Sequence, residues 1–338
     1  MIKGCITKLV QGEDLSFSES IGVMTQIMEG ETTSAQLGSF LTALALKGET
    51  VDEVAGMAFV MREKSTKVIA GGDLLDTCGT GGDGLRTFNI STASAFVCAG
   101  HGAKVAKHGN RAMSGKTGSA DVLEVLGASI NLSPESVSEC IDKTGFGFIF
   151  AQEFHPSMKY AAGPRREIGI RTVFNILGPL TNPAGAKRQV IGVSDKSVGG
   201  LMANVLDKLE SERALIIHGG DGLDEITITQ NSAVWDLSSG RVTLGQIDIE
   251  DLGFKRNDIN TIQVGSVKES ADIIKDVLSG SKNPARDIVL LNAAAGLVAS
   301  GISKDLLSGV NDARTSIDNG HASHALKSYI EISNSLSE

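Results

Sequence analysis

Two glycine-rich segments of the chain carry the residue types that bind phosphate groups. The first segment, residues 76–84, reads Asp-Thr-Cys-Gly-Thr-Gly-Gly-Asp-Gly, and the second segment spans residues 107–121. Bare backbone N–H groups in such turns, and at the helix N-termini that follow them, attract phosphate. Two neighbouring segments of this kind predict a ligand with two phosphate groups. The accompanying basic and hydroxyl side chains are Lys107, Arg111, Lys116, Ser91, Thr92, Ser114, Thr117 and Ser119.

Two nucleotide-binding motifs match these segments only in part. Residues 79–84 fit the glycine pattern of a dinucleotide-binding turn, but that motif needs an acidic residue about 20 positions further on, where this chain has Lys107. Residues 115–117 resemble the end of a P-loop, but five residues rather than the required four separate Gly109 from Gly115. The spacing disfavours both motifs. Two tight strand-to-helix turns with solvated basic side chains stay open as the purely structural alternative.

A third glycine-rich turn, residues 218–225, places two adjacent carboxylates, Asp224 and Glu225, after a predicted strand. Hard cations such as Mg²⁺ take one or two carboxylates and leave their remaining positions to water and phosphate oxygens. Adjacent acids in a turn are more often a solvated surface pair. Opposite two phosphate-binding segments, however, the pair indicates a magnesium site.

The elements that must position these segments follow from the apolar pattern of residues 73–338. Short apolar runs alternate with longer helical stretches, which indicates an α/β domain with a central, mainly parallel sheet covered by helices. The last strands lie close together along the chain and predict an antiparallel part. The predicted strands are 74–76, 104–107, 148–150, 190–193, 214–218, 226–229, 233–237 and 242–244. The predicted helices are 91–100, 119–127, 134–144, 197–210, 269–279, 285–299 and 322–333.

Residues 1–70 predict a small all-helical domain. Three capping boxes occur in succession, each with a hydroxyl and, three residues later, an acid or amide that together satisfy the first N–H groups of a helix. Apolar residues follow at helical spacing, and helices around residues 165–185 can complete the bundle. The three boxes pair Ser16 with Glu19, Thr33 with Gln36 and Thr50 with Glu53.

The composition excludes several classes of protein. Among 338 residues there are 40 glycines but only 6 prolines and no Gly-X-Y period, which excludes collagen-like and Pro/Gly-rich disordered chains. The net charge of −9 argues against nonspecific binding to nucleic acid or anionic membranes. No apolar run is long enough to span a membrane, and the polar start predicts no signal peptide. The 4 scattered cysteines are typical of free thiols, so we expect a cytoplasmic protein.

Taken together, the motifs resemble the anthranilate phosphoribosyltransferase family of tryptophan biosynthesis. The matching segments follow the family's order and cover nearly the whole chain. Each segment is short, but their combination is specific. They are residues 79–83, 89–92, 107–111, 118–121, 171–183, 221–225 and 284–292.

The resemblance implies a reaction and its ligands. Members of this family transfer the phosphoribosyl group of 5-phosphoribosyl-1-pyrophosphate to the amine of anthranilate and release pyrophosphate. That sugar has a phosphate at one end and a pyrophosphate at the other, which fits two phosphate-binding segments. The family pattern also implies Mg²⁺, a homodimer formed through the helical domain and room for a glutamine amidotransferase partner, with no nucleic-acid or membrane partner.

The family pattern assigns the binding roles residue by residue. Asp224 and Glu225, together with Ser91, would hold Mg²⁺. The residues that would bind the sugar diphosphate are Gly79, Gly82, Asp83, Thr87, Asn89, Ile90, Ser91, Thr92, Lys107, His108, Gly109, Asn110, Arg111, Ser114 and Ser119.

The same pattern implies four residues for the transfer step. Lys107 would stabilise the departing negative charge. Asn110 and Arg165 would contact anthranilate, with His108 nearby, and the planar guanidinium of Arg165 can pair with the substrate carboxylate. Because the amine of anthranilate is conjugated with its ring and unprotonated at pH 7, we expect no essential general base.

Two positions depart from the family pattern. Gly115 stands where a serine is usual, so one hydroxyl contact to phosphate is lost and a backbone N–H would replace it. Pro164 directly precedes Arg165, and a proline there restricts residue 163 and is expected to shift the start of that segment.

Two other functions stay open at this point. Pyrimidine nucleoside phosphorylases look similar in architecture, and a non-catalytic paralogue could act as a nucleic-acid-binding or regulatory protein. Segment 107–111 together with Asp224 and Glu225 favours the transferase, and the acidic net charge argues against the paralogue.

Overall fold

The chain opens with a bundle of helices. The structure is a computed structural model, and it describes residues 1–112 and 117–337. The opening helices are α1 (Ile2–Val10), α2 (Phe17–Met28), α3 (Ser34–Lys47) and α4 (Val51–Glu63). Helices α2, α3 and α4 each begin at a predicted capping box, with the reciprocal side-chain and backbone hydrogen bonds in place. The all-helical N-terminal domain is therefore confirmed.

A single mixed sheet forms the centre of the remaining chain. Within the described residues its strands are β1 (Leu74–Gly79), β2 (Lys104–Gly109), β3 (Phe146–Phe150), β4 (Arg188–Gly192), β5 (Arg213–Gly219), β6 (Ser232–Ser238) and β7 (Arg241–Ile247). Their order is β3-β2-β1-β4-β5-β6-β7. Strands β1 to β5 run parallel, and β6 and β7 extend the sheet antiparallel. Both the parallel sheet and its antiparallel end are as predicted.

Helices cover both faces of this sheet. They are α5 (Ile90–Gly100), α6 (Ser119–Leu126), α7 (Pro134–Thr144), α8 (Ala151–Phe154), α9 (Lys159–Ile168), α10 (Phe174–Leu177), α11 (Gly199–Lys208), α12 (Val267–Leu278), α13 (Pro284–Ala299), α14 (Leu306–Asp318) and α15 (His321–Ser335). Helices α5 and α13 pack together over one face, whereas α11 lies on the other face and contacts α4. None of the helices in the described part of the chain is long and apolar enough to cross a membrane.

One hydrophobic core continues from the helical bundle into the sheet. Leu41 of α3, Met57 of α4, Leu177 of α10, Met202 of α11 and Ile216 of β5 all belong to the same cluster of buried side chains. A second cluster fills the opposite face of the sheet beneath α5, α13 and α15. The bundle thus packs against α11, which lies on one face of the sheet.

Several features of the α/β domain differ from the sequence prediction, which also lacked α8, and two of them have a plain physical cause. Residues 226–229 alternate like a strand but are not one, because the hydroxyls of Thr227 and Thr229 both donate to Asp221 Oδ2 at 2.6 Å and fold the segment into a turn. Helix α14 was not predicted, since Gly309 interrupts its pattern. That glycine is needed because a Cβ there would lie 2.9 Å from the Ala294 carbonyl oxygen of α13.

Candidate active site at the carboxyl edge of the sheet

Four of the parallel strands end in glycine at the same edge of the sheet. Gly79 closes β1, Gly109 closes β2, Gly192 closes β4 and Gly219 closes β5. Gly79 and Gly192 are direct neighbours in the register of β1 and β4. Ligands of open α/β sheets bind outside the carboxyl ends of the strands. The three glycine-rich segments found in the sequence all start here.

The acidic turn lies directly on the ends of β1 and β4. A Cβ on Gly192 would stand 1.5 Å from the Asp224 carbonyl oxygen, and a Cβ on Gly79 would stand 2.4 Å from Asp224 Oδ2. The Gly81 N–H also donates to Asp224 Oδ2 at 2.8 Å. Glycine is therefore the residue that permits this close approach of backbone to backbone.

A buried asparagine fixes the acidic turn from behind. Asn292 of α13 accepts from the Ile226 N–H at 2.9 Å and donates to the Ile226 and Ile288 carbonyl oxygens at 3.0 and 2.9 Å. The carboxylate of Asp221 is occupied inside the turn by two threonine hydroxyls. Of the acids in the turn, Asp224 and Glu225 therefore remain available to bind a ligand at the ends of the strands.

The two remaining carboxylates repel each other in a poorly solvated place. Burial and the nearby Asp83 raise the pKa of Asp224 to about 7. Burial and Asp224 raise the pKa of Glu225 well above its usual value, although Lys107 lowers it. A divalent cation relieves this kind of repulsion, so the donor set fits Mg²⁺. Within residues 1–112 and 117–337, no three His, Cys, Asp or Glu side chains converge as a metal site.

Lys107 lies beneath the loops. Its side chain is only 2% exposed, and its Nζ donates to the Thr77 carbonyl oxygen and to Ser91 Oγ, the latter at 3.2 Å. Burial lowers the pKa of Lys107, while the surrounding acids, first Asp76, raise it. The amine thus places a positive charge under Ser91, at the start of α5 and close to the acid pair.

The first loop is shaped by glycines and then tied down. Gly81 and Gly82 have positive φ angles of 66° and 79°, a conformation that L-residues with a side chain rarely adopt. Asp83 accepts the Leu85 N–H at 3.0 Å, and Thr87 forms an isolated antiparallel bridge with Gln263. The loop therefore leads from Gly79 to α5 along a fixed path.

The start of α5 brings three predicted residues together. Ile90 and Thr92 are buried, and the Ile90 N–H donates to the Phe88 carbonyl oxygen at 2.8 Å. The Thr92 hydroxyl has no hydrogen-bond partner among the described residues. Ser91 is half-buried and accepts from Lys107.

The second loop is closed by a carboxylate at the start of α6. Asp121 accepts the Gly118 and Ala112 N–H groups, both at 3.0 Å, and pairs with Arg111 at 3.0 Å. Arg111 also pairs with Glu124 of α6 and stacks over the Phe150 ring of β3, so its guanidinium is engaged by the elements beside the loop. The expected phosphate contact at Ser114, the departure at Gly115 and the basic residue Lys116 lie outside the described residues.

Two further predicted residues follow β2. The Ser119 hydroxyl donates to the Asn110 carbonyl oxygen at 3.3 Å, directly against Gly109. Asn110 Oδ1 accepts from Gln152 Nε2 at 3.2 Å. The side chain of Asn110 therefore faces the end of the neighbouring strand β3.

His108 has a partner that the sequence did not reveal. The rings of His108 and His155 are both buried, with centroids 5.0 Å apart. Burial lowers the pKa of His108 to about 3 and that of His155 to about 4, so both rings are neutral at pH 7. His155 follows α8 after β3, and only its position beyond the next parallel strand could have suggested it.

Arg165 lies in α9, on the segment between β3 and β4. Its guanidinium stacks over the Phe174 ring with Cζ 4.7 Å from the centroid, and burial lowers its pKa. Pro164 is inside α9, so the helix continues through the proline instead of starting after it. Nearby Arg171, which the sequence reasoning did not select, lies over Gly82, because a Cβ there would meet its Nη1 at 3.3 Å.

Comparison with known proteins finds relatives over nearly the whole chain. Residues 71–323 match a family model described as "Glycosyl transferase family, a/b domain", and residues 3–65 match the helical bundle domain of the same family. The anthranilate phosphoribosyltransferase of Acetivibrio thermocellus is 51% identical over 337 residues, which are 99% of this chain and 98% of that protein. The enzyme of Pelotomaculum thermopropionicum is 51% identical over 338 residues, 100% of this chain and 98% of that protein.

Solved structures show the same likeness. The crystal structure of anthranilate phosphoribosyltransferase from Thermus thermophilus superposes with a TM-score of 0.93 at 40% identity, over 98% of this chain and 99% of that chain. The Saccharomyces cerevisiae enzyme in complex with PRPP and Mg superposes with a TM-score of 0.91 at 28% identity, over 99% of this chain and 98% of that chain.

The contact between Gly192 and the acidic turn is open to a stability test. We expect Gly192→Ala to lower the free energy of unfolding by roughly 2–4 kcal/mol, because a Cβ cannot fit against the Asp224 carbonyl. Gly245→Ala in β7 is the matched control, since its Cβ would meet only Val234 Cγ1 at an ordinary 3.5 Å. Urea unfolding measures both, and equal losses in the two variants would contradict the packing described here.

The buried histidine pair predicts a loss of stability in acid. Both folded-state pKa values, about 3 and about 4, lie below the unfolded value of 6.5. The neutral forms therefore stabilise the fold fully above pH 6.5, and this contribution is lost as the pH falls below it. Between pH 6.5 and pH 5 the loss is about 2 kcal/mol per histidine.

Substitution of one ring checks this expectation. His155→Asn should flatten the decline in the free energy of unfolding between pH 7 and pH 5, measured in urea. His324→Asn, at an exposed position, should leave the slope as in the unmodified chain. An unchanged slope in His155→Asn would show that the pair does not titrate as stated.

Proposed function

The chain belongs to the anthranilate phosphoribosyltransferase family, and we propose that the carboxyl edge of its sheet is where the phosphoribosyl group is transferred. The reaction is transfer from 5-phosphoribosyl-1-pyrophosphate to the amine of anthranilate, in tryptophan biosynthesis. The observation that carries the site is the acid pair Asp224 and Glu225, set against the ends of β1 and β4 beside a phosphate-type loop.

We assign Mg²⁺ to Asp224, Glu225 and Ser91. Supporting this are the mutual repulsion of the two carboxylates and the position of Ser91 at the start of α5 above Lys107. When bound, the ion neutralises negative charge on the departing pyrophosphate. The yeast relative has been solved with PRPP and Mg.

The two glycine-rich loops and the helix starts behind them are the proposed sugar-diphosphate site. Their N–H groups and hydroxyls provide donors without adding side-chain bulk. Lys107 lies beneath these loops, where it donates to the Ser91 hydroxyl and its buried positive charge attracts phosphate. The proposed binding residues are Gly79, Gly82, Asp83, Thr87, Asn89, Ile90, Ser91, Thr92, Lys107, His108, Gly109, Asn110, Arg111, Ser114 and Ser119.

The transfer step needs charge stabilisation and positioning more than proton abstraction. As pyrophosphate leaves, the ribose develops oxocarbenium character, and the nucleophile is an amine that is already unprotonated. His108 and His155 are neutral at pH 7 because they are buried, so they do not add positive charge beside the sugar. Holding the amine against the anomeric carbon supplies much of the remaining rate enhancement.

Arg165 and Asn110 are the proposed contacts for anthranilate. Stacking on Phe174 orients the guanidinium and leaves its N–H groups for a carboxylate. Partial burial strengthens such a pair, because the solvent screens it less. His108 lies near the end of β2, two residues before Asn110, and is the proposed wall of the same site.

The organisation of the whole protein is proposed on the same premise. We place a small helical domain at residues 1–70, completed by residues 165–185, and the sugar-diphosphate domain at residues 73–338. Exposed Val10 and Leu46, at 72% and 84%, support a homodimer through the helical domain. We further propose a cytoplasmic location, no nucleic-acid or membrane partner, and room for a glutamine amidotransferase partner.

The activity itself is tested by fluorescence. Anthranilate fluorescence should fall when the protein, 5-phosphoribosyl-1-pyrophosphate and Mg²⁺ are combined, and should not fall if any one of them is omitted. Uridine or thymidine with inorganic phosphate should not be cleaved. A folded protein that leaves anthranilate unchanged would refute the proposed function.

The metal assignment predicts the effect of removing both carboxylates. Asp224→Asn with Glu225→Gln should cut turnover at least about a hundredfold and abolish the rise in unfolding temperature caused by Mg²⁺. Glu250→Gln with Asp251→Asn is the matched control, an adjacent acid pair that is exposed. If the Mg²⁺ effect on the unfolding temperature survived in the first double variant, the ion would be held elsewhere.

The role of Arg165 predicts a substrate-specific defect. Arg165→Ala should raise the KM for anthranilate by about 10- to 100-fold, the loss of a charge-assisted hydrogen bond, with a small effect on the KM for the sugar. Its exposed neighbour provides the control, since Arg166→Ala should change neither value. Steady-state kinetics with each substrate varied in turn decides the point, and a defect confined to the sugar would refute the assignment.

A further inference from the structure

The residue that precedes α5 does not do what its type predicts. Asparagine is among the preferred N-cap residues, because its side-chain oxygen accepts a free N–H of the first turn. Asn89 occupies this position, yet its side chain makes no capping hydrogen bond. Its Oδ1 instead accepts from the Ser270 hydroxyl at 2.8 Å, and its Nδ2 donates to the Thr117 carbonyl oxygen at 3.2 Å.

Ser270 holds Asn89 at two points. The side chain of Ser270 is 0% exposed, in α12, and its Oγ accepts the Asn89 N–H at 3.0 Å while donating to Asn89 Oδ1. A hydroxyl has one donor and two acceptor positions, so one serine can satisfy both contacts at once. The two residues are 181 positions apart, and Ser270 lies in none of the segments that carry the family pattern.

This arrangement has two consequences for the phosphate site. The side-chain oxygen of Asn89 is directed to Ser270, and the first-turn N–H groups of α5 are not capped by their own N-cap residue. The amide of Asn89 is turned toward Thr117, so the end of the first loop is joined to the end of the second. A phosphate that binds at the start of α5 therefore does not have to displace the Asn89 side chain from the first-turn N–H groups.

We propose that Ser270 is a positioning residue for the sugar diphosphate: it keeps Asn89 away from the start of α5 and bound to the second loop. The proposal rests on the proposed function of this site. Without the serine hydroxyl, Asn89 is free to rotate onto the first-turn N–H groups and compete with the phosphate. The proposed effect is therefore on binding of the sugar diphosphate rather than on the transfer step.

A matched control lies at the other end of α5. Ser316 of α14 is also 0% exposed, and its Oγ donates to the Val97 carbonyl oxygen in α5 at 2.8 Å. Its removal costs a comparable buried hydrogen bond to α5 but does not release Asn89. Comparison of the two serines separates a role in positioning from a general loss of packing around the helix.

The first experiment compares Ser270→Ala with Ser316→Ala. We expect Ser270→Ala to raise the KM for 5-phosphoribosyl-1-pyrophosphate roughly five- to tenfold, because the ligand must then compete with a capping hydrogen bond worth about that factor. The kcat and the KM for anthranilate should change by less than about twofold. Ser316→Ala should leave all three within about twofold. A KM effect that is absent in Ser270→Ala, or equal in both variants, would overturn the proposal.

A double variant tests whether Ser270 acts through Asn89. Asn89→Ala removes the competing cap, so adding Ser270→Ala to it should change the KM for the sugar by less than about twofold. Independent, multiplying effects would overturn the proposal. If Ser270→Ala fails to fold, Ser270→Cys keeps most of the side-chain volume but is a poor donor, so it should show the same rise in the KM for the sugar. Ser270→Thr keeps the hydroxyl and should leave this KM as in the unmodified chain. The absence of both results would also overturn the proposal.

Calorimetric titration of the unmodified protein with 5-phosphoribosyl-1-pyrophosphate and Mg²⁺ keeps the two questions apart. No binding and no transfer by the unmodified chain means that the proposed function has failed. Binding and transfer by the unmodified chain, with normal affinity in Ser270→Ala, means that only the role of Ser270 has failed.

Discussion

The acidic turn can lie on the sheet only because two neighbouring strands end in glycine. The Asp224 backbone lies where the side chain of residue 192 would be, and its carboxylate lies where the side chain of residue 79 would be. Asn292 then holds the turn from the side of α13. Steric exclusion at two positions thus decides where the carboxylates stand, and every other part of the proposed metal and phosphate site is arranged around them.

The charged groups of this site are buried at a cost in free energy. The carboxylates of Asp224 and Glu225 have raised pKa values, and burial lowers the pKa of the Lys107 amine. All three lie in the same poorly solvated region at the ends of the strands. Such an arrangement is unfavourable alone and becomes favourable when a cation and phosphate groups complete it. In our proposal the start of α5 follows the same logic, because the contact between Asn89 and Ser270 keeps the Asn89 side chain away from the first-turn N–H groups.

Local patterns predicted much of this protein because they act over a few residues. The capping boxes at Ser16, Thr33 and Thr50, the parallel strands and the family assignment are all confirmed. The individual site residues stay predictions, although the structure brings most of those it describes to one edge. Sequence reasoning missed His155 and Ser270, since only tertiary packing brings them to the residues they contact.

The strand predicted at residues 226–229 failed for a related reason. Its alternation of isoleucine and threonine satisfies the period of a strand, but the hydroxyls find a closer acceptor in Asp221 than any neighbouring strand offers. Periodicity reports which faces are apolar, and it does not report which polar partner competes for the backbone. The unpredicted helix α14 shows the converse, since a glycine that weakens the helix pattern is what lets the helix pack closely.

The continuous core beneath the bundle has a consequence for how the molecule comes apart. Side chains of α3 and α4 and of β5 contribute to one buried cluster, so neither part can open without exposing apolar surface of the other. Such parts form a single cooperative unit of local unfolding, even where the sequence changes character between them. Cutting the chain near residue 72 would therefore give two fragments, each an incomplete part of one folding unit. The sequence pattern changes between the helices and the sheet at this point, but the cooperative unit of unfolding does not end there.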